Sequence, residues 1–162
     1  MEKLRDVTLV FLVKREKGII SELCLAMKKR GFGMGRYNGV GGKLEVGETI
    51  ESAAKREARE EIGVEIRHLE KVAELTFIFA HNSAWNQLVH VYTTDKWSGE
   101  PTESEEMNPK WFAVADIPFE KMWPDDRFWL PHMLAGKLVR AEFTFGEGDV
   151  ILDKKVEAVP EL

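Results

Sequence analysis

The sequence predicts an α/β domain, a mixed β-sheet with helices packed on its faces. Three observations carry that prediction. Apolar, strand-like runs outnumber helical segments. The first long helical pattern follows a loop dense in glycine. The chain closes on two alternating segments around Gly146-Glu147-Gly148, which reads as a hairpin. With 162 residues the chain is sized for a single domain over residues 1–162, and it can bury a core without disulfide staples.

The elements follow in order. Residues 7–13, β-branched and continuous, read as a fully buried strand. Residues 23–27 read as a second strand, reached through a turn around Lys17-Gly18. Seven of the thirteen glycines then crowd into residues 31–47: Gly31, Gly33, Gly35, Gly39, Gly41, Gly42 and Gly47. Glycine permits positive φ and close backbone approach at a cost in chain entropy, so such a loop points to a ligand surface. The plain alternative is a long flexible hairpin connection. A helix follows over about residues 49–62, with Thr49 as N-cap and Gly63 at the C′ position. Residues 64–66, 72–79, 88–93 and 110–114 read as strands. Pro124 opens a second helix running to Ala135 and closed by Gly136, with Pro131 delaying or kinking it. Residues 141–145 and 150–156 form the closing strands.

Lys and Arg number 23 against 28 Asp and Glu, a formal charge of −5. That balance disfavours binding to a nucleic-acid duplex, which needs a clustered basic surface. It would also repel a phosphate-rich small molecule unless something neutralised the field. Cys24 is the only cysteine, which excludes an intrachain disulfide framework and points to a reducing compartment. The apolar run 7–13 is too short to span a bilayer, Asp6 and Lys14 flank it, and no small-residue cleavage site follows it. A cytosolic protein that binds no membrane is expected.

Residues on the first helix sit about 100° apart. Ile50, Ala53 and Ala54 define its inward stripe, Glu57 and Glu61 fall on that stripe, and Glu60 lies at its edge. Carboxylates belong opposite an apolar face, and like charges one turn apart repel. Lys55, Arg56 and Arg59 point elsewhere by the same geometry, so a cation from outside is expected between the acids. Oxygen-only ligands suit a hard divalent ion such as Mg²⁺ or Mn²⁺, whereas zinc would prefer His or Cys. The plain alternative is a solvated acidic face.

Gly42, Glu48, Arg56, Glu57, Glu60, Glu61 and Gly63, closed by Val64, resemble the Nudix box. Ala58 is small where that pattern usually has a larger aliphatic residue. The resemblance extends to the branch of oxidised purine nucleoside triphosphate diphosphatases through residues 27–33, Met107, Trp111-Phe112, residues 117–119, residues 122–126 and residues 151–153. Residues 81–86 depart from it. The resemblance implies a Nudix fold, an α/β/α layering with the mixed sheet between helices. It implies Mg²⁺, with Mn²⁺ as a substitute, on Glu57, Glu60, Glu61 and Gly41, and a nucleotide cleaved to the monophosphate and pyrophosphate. Arg56 would orient Glu57, and Glu61 would take a proton from the attacking water, with Glu105 and Glu106 as reserve bases or extra ligands. The base would be read by Asn38, Asp125 and Asp126, walled by Phe32, Phe77, Phe79 and Trp123, with polar contacts from Thr8 and Lys28.

Adjacent acids beside an aromatic wall do not both ionise easily, so one carboxyl of Asp125 and Asp126 would donate while the other accepts. The plain reading of Pro124-Asp125-Asp126 is a helix N-cap, and that of Phe77 and Phe79 is core packing. The expected function is hydrolysis of oxidised purine triphosphates by a monomer acting on a small nucleotide and not on a nucleic-acid polymer. The alternatives are a Nudix diphosphatase for another nucleotide, or a nucleotide-binding module without catalysis. His68, His81, His90 and His132 do not cluster at ligand spacing, and Cys24 reads as core.

Overall fold

The computed structural model describes residues 4–162. Strands β1 (Arg5–Glu16) and β2 (Ile19–Lys28) meet at a tight turn in which Lys17 and Gly18 take φ of 52° and 80°. The short β3 (Tyr37–Asn38) lies within the glycine-rich loop. Helix α1 (Ile50–Ile62) follows, then β4 (Glu65–Ile66), β5 (Glu70–Phe79), β6 (Gln87–Thr94), β7 (Trp97–Ser98) and β8 (Met107–Ala113). Helix α2 (Asp126–Leu134), β9 (Leu138–Phe145) and β10 (Ile151–Val159) complete the chain.

The main sheet has the order β10-β9-β5-β6-β1-β2-β3, with β8 also on β2. It is mixed: β1 runs parallel to β6 and β5 parallel to β9, while the remaining pairs are antiparallel. Alternation along β1 divides the core. Leu9, Phe11 and Val13 face the α2 side with Trp129, Leu130 and Met133. Val10 and Leu12 face the α1 side with Ala54, Ala58 and Ile62. One helix therefore covers each face, as the sequence predicts. Ala58 is wholly buried there, where a small side chain lets α1 lie close to the sheet.

Helix α1 has the predicted ends. Thr49 Oγ1 accepts from the Ser52 N–H at 3.1 Å, Ser52 Oγ accepts from the Thr49 N–H at 3.0 Å, and Gly63 takes φ of 72°. Three expectations need correction. Helix α2 begins at Asp126 and not at Pro124, with the Asp126 N–H donating to the Trp123 carbonyl at 3.1 Å. Residues 64–66 leave the main sheet: β4 pairs with β7, a strand the apolar pattern does not announce. Strand β8 starts at Met107, drawn out by seven pairings with β2, and Val114 turns into a 3-10 segment. The run 81–86 contains a 3-10 turn (Ser83–Trp85) capped by Asn82, whose Oδ1 accepts from the Ala84 N–H at 3.2 Å.

The β1 pairing positions the site. Arg5 to Leu12 are paired with β6, while β2 joins only at Val13 to Glu16. Beyond that point β2 diverges, held by β8 and β3, and the free edge of β1 is open. Cys24 lies in the core of β2, where burial pushes its thiol up to about 12. His90 is buried between Asp6, 2.9 Å from Nε2, and Lys71, 3.1 Å from Nδ1.

Candidate functional site

The glycine-rich loop fills the open edge of β1. The Thr8 N–H donates to the Gly42 carbonyl at 2.9 Å, and the Val10 and Val40 backbones exchange hydrogen bonds at 2.6 and 3.0 Å. Glycine is required here by contact and not by turn geometry. A Cβ on Gly41 would run into the Thr8 carbonyl, and one on Gly42 would meet Glu57 Oε1 at 2.7 Å. The loop is thus bridged to β1 at two points and pressed against the glutamates of α1, which excludes the flexible-hairpin alternative for this part of it.

On the α1 side, Glu57, Glu60 and Glu61 line a cavity of about 470 Å³ together with Glu45, Glu105, Glu106, Arg30 and Arg56. Glu61 is only 3% exposed. Its Oε1 accepts from the Gly41 N–H at 3.1 Å, and its Oε2 is buried without a partner. Burial first, then the neighbouring Glu57, pushes its carboxyl up to about 8. Arg56 organises the rest. Its Nε and Nη2 donate to Glu48 at 2.7 and 3.0 Å, its Nη1 to Glu57 at 3.0 Å and Glu60 at 3.1 Å, and its Nη2 also to the Lys43 carbonyl at 3.1 Å. This corrects the helical-wheel expectation that Arg56 points away from the acids. An arginine is long enough to wrap round a helix and fork between two of its rows. The same bonds hold Glu48 below the ordinary carboxylate range and raise the Arg56 guanidinium.

This donor set fits a hard divalent cation by chemistry. It is carboxylate oxygen alone, and it includes a buried oxygen lacking any partner. Arg56 Nη1 bridges Glu57 and Glu60, and among the described residues no three His, Cys, Asp or Glu groups stand at ligand spacing. Glu105 is exposed and Glu106 half-buried, and they pair with Arg30 at 3.6 and 3.5 Å on the rim of the same cavity.

A second cavity, of about 420 Å³, opens where β1 and β2 diverge. Gly41, Gly42 and Lys43 form one of its walls, so the loop lies between the two cavities. Thr8, Lys28, Phe32, Asn38, Phe77, Phe79, Trp123, Asp125 and Asp126 all line it. Asn38 Oδ1 accepts from the Gly39 N–H at 2.8 Å, and Thr8 is buried, with its Oγ1 3.3 Å from the Gly42 carbonyl. Phe79 serves wall and core together, stacked on Phe145 at 5.3 Å, and Phe77 packs edge-on against the same ring.

The acid pair is not an N-cap. Asp125 occupies that position but makes no capping bond. Asp125 and Asp126 are 1% and 3% exposed, and both accept from Trp129 Nε1, at 3.0 and 3.1 Å. Asp125 Oδ1 and Asp126 Oδ2 are buried without partners. Burial pushes Asp125 up to about 6. Burial, then the charge of Asp125, raises Asp126 well above its ordinary value. The pair therefore holds a proton near neutrality, which gives the cavity a donor and an acceptor side by side.

Four contributors escaped the sequence reading. Trp129 was legible in principle, since positions three and four beyond an acid pair at a helix start share its face. Arg36, Trp85 and Arg5 carry no such signal. Arg36 stacks over Trp123 at 4.1 Å, Trp85 lies 5.7 Å from Phe32, and Arg5 Nη2 donates to the Ala84 carbonyl at 2.8 Å.

Residues 3–133 match the family pattern described as the NUDIX domain. Over 156 residues the chain is 43% identical to the oxidized purine nucleoside triphosphate hydrolase of Danio rerio, covering 96% of each chain. It is 43% identical over 159 residues to the Mus musculus protein of the same name, covering 98% of each. Among solved structures it is similar to a MutT protein from Bacillus halodurans, with a TM-score of 0.82, 22% identity, and coverage of 97% of this chain and 100% of that one. The last likeness supports the fold. Among the described residues no helix is long and apolar enough to cross a membrane.

Proposed function

The chain belongs to the Nudix family, and from that premise we propose that it hydrolyses oxidised purine nucleoside triphosphates such as 8-oxo-dGTP to the monophosphate and pyrophosphate, removing them from the nucleotide pool. The observation that carries this reading is the pairing of two cavities across one glycine-rich loop. One is walled by aromatics and ends in the proton-holding Asp125 and Asp126. The other is lined by glutamates. The names of the zebrafish and mouse relatives point to the same substrate class.

Each group has a role. Trp123, Phe32, Phe77 and Phe79 wall the base, while Asp125 and Asp126 present one donor and one acceptor to its hydrogen-bonding edge. Asn38, Thr8 and Lys28 add polar contacts to the nucleotide. Glu57, Glu60 and Glu61, with the backbone of Gly41, would hold Mg²⁺, or Mn²⁺ in its place. When bound, such a cation neutralises the triphosphate and makes water a better nucleophile. Arg56 keeps Glu57 and Glu60 at the cavity and offsets part of their charge. Water attacks a phosphorus of the chain, a P–O bond breaks, pyrophosphate leaves, and Glu61 takes the proton on a carboxylate oxygen. Glu105 and Glu106, on the rim, are reserve bases or extra ligands.

The hairpin of β9 and β10 joins the same sheet as the matched region, which supports the proposal of a single domain over residues 1–162. The proposed acting unit is the monomer. The buried single cysteine supports a reducing, cytosolic setting.

The test is a panel of oxidised and plain purine triphosphates compared by kcat/KM in Mg²⁺ and Mn²⁺, with products identified. Faster turnover of the oxidised bases, lost on chelation, is expected. Preference for a plain or sugar-linked nucleotide would reassign the substrate, and binding without pyrophosphate release would leave a binding module. Asp125→Asn and Asp126→Asn are expected to lose base discrimination steeply, and unchanged discrimination in both would remove the pair from base reading.

A further inference from the structure

Trp123 is held from an unexpected direction. Arg36 lies over its indole with the guanidinium carbon 4.1 Å from the ring centre. Arg36 Nη1 is in turn held by Asp149 Oδ2 at 3.0 Å. Both side chains are largely shielded, at 29% and 27% exposed. Asp149 sits in the turn between β9 and β10 with φ of 61°, in the left-handed region that few side chains adopt. It also lies outside residues 3–133, the part of the chain that matches the family pattern. Gly33 closes the indole edge, where a Cβ would sit 3.5 Å from Nε1.

Resting on the function proposed above, we propose that the Arg36–Asp149 pair is the positioning element of the base cavity. It locks the indole of Trp123 in the cavity wall. The guanidinium covers one face of the ring, the Phe32 ring lies 5.1 Å from it between centres, and a clamped ring loses no rotamer freedom when the base binds.

The pair makes no contact with the glutamate cavity, so it acts on binding and not on bond cleavage.

The experiment compares Arg36→Met, Arg36→Lys and Asp149→Asn with the wild type in Mg²⁺, using 8-oxo-dGTP and 8-oxo-dATP. Thermal melting checks folding. For Arg36→Met, KM for the preferred nucleotide should rise about tenfold, with kcat within about threefold of wild type. Asp149→Asn, remote from the substrate, should raise KM the same way by a smaller factor, again with little change in kcat. Arg36→Lys should recover only part of the KM, because it keeps the charge and loses the planar stack. Unchanged KM in both Arg36→Met and Asp149→Asn would overturn the proposal. Failure of the wild type to release pyrophosphate from any purine triphosphate would defeat the functional reading instead. Quenching of tryptophan fluorescence by the same nucleotides would then decide the proposal: about tenfold weaker binding to Arg36→Met supports it, and equal binding overturns it.

Discussion

Replacing Trp129 by Phe tests whether the acid pair carries charge in the fold. The indole is wholly buried, and its one N–H is shared by Asp125 at 3.0 Å and Asp126 at 3.1 Å. The substitution shortens a packed ring, which costs about 1–2 kcal/mol at any pH. It also removes a donor from a carboxylate, worth about 1.5–3 kcal/mol when the acceptor is charged and about 0.5–1.5 when it is neutral. Asp125 titrates near 6 in the fold against an ordinary 3.8, so the folded protein holds that proton more tightly than the unfolded chain. Stability from this group is therefore greatest at low pH and falls as pH rises from about 4 to about 6. The Trp129 N–H opposes that fall by favouring the charged form, and without it the fall is steeper. The variant should lose about 2 kcal/mol relative to wild type at pH 5 and about 1 kcal/mol more than that at pH 8. Urea unfolding at the two pH values, followed by far-UV circular dichroism, measures both. An equal loss at pH 5 and pH 8 would show that the N–H meets no charge, and the account of the pair as a shared-proton site would fail.

Gly41→Ala places a methyl group against the Thr8 carbonyl and should destabilise by about 3 kcal/mol or more, whereas Gly47→Ala, which meets nothing, should cost about 1–2 kcal/mol; unfolding midpoints decide. Arg56→Lys keeps the charge but gives up the fork to Glu48, Glu57 and Glu60; a loss of about 2 kcal/mol should appear as a fall of about 4–8 °C in Tm. Glu61→Gln should lower kcat by about 10²-fold or more while nucleotide binding, read by fluorescence, largely survives, and near-normal turnover would remove Glu61 from the base role.

Much of this protein was legible in the order of its residues. The first two strands, the glycine cluster and the ends of α1 are local features, set by propensity and capping within a few residues, and they stand where the sequence puts them. The box from Gly42 to Val64 announced the glutamates because its spacing is a helical spacing. Glu61 was also marked as anomalous, a charged residue on an apolar stripe. Tertiary structure alone decided the rest. The direction taken by Arg56 depends on a long side chain choosing among partners on a loop and two helical turns, which a wheel of Cα positions does not contain. The divergence of β2 from β1, which opens the base cavity, depends on competition from β8, some eighty residues away. The shared proton on Asp125 and Asp126 depends on complete burial, and the bond to Asp149 joins two turns that no local pattern relates. Backbone conformation is settled by neighbours in sequence. Charge, protonation and reach are settled by neighbours in space, because desolvation and Coulomb attraction act between whatever the fold brings together.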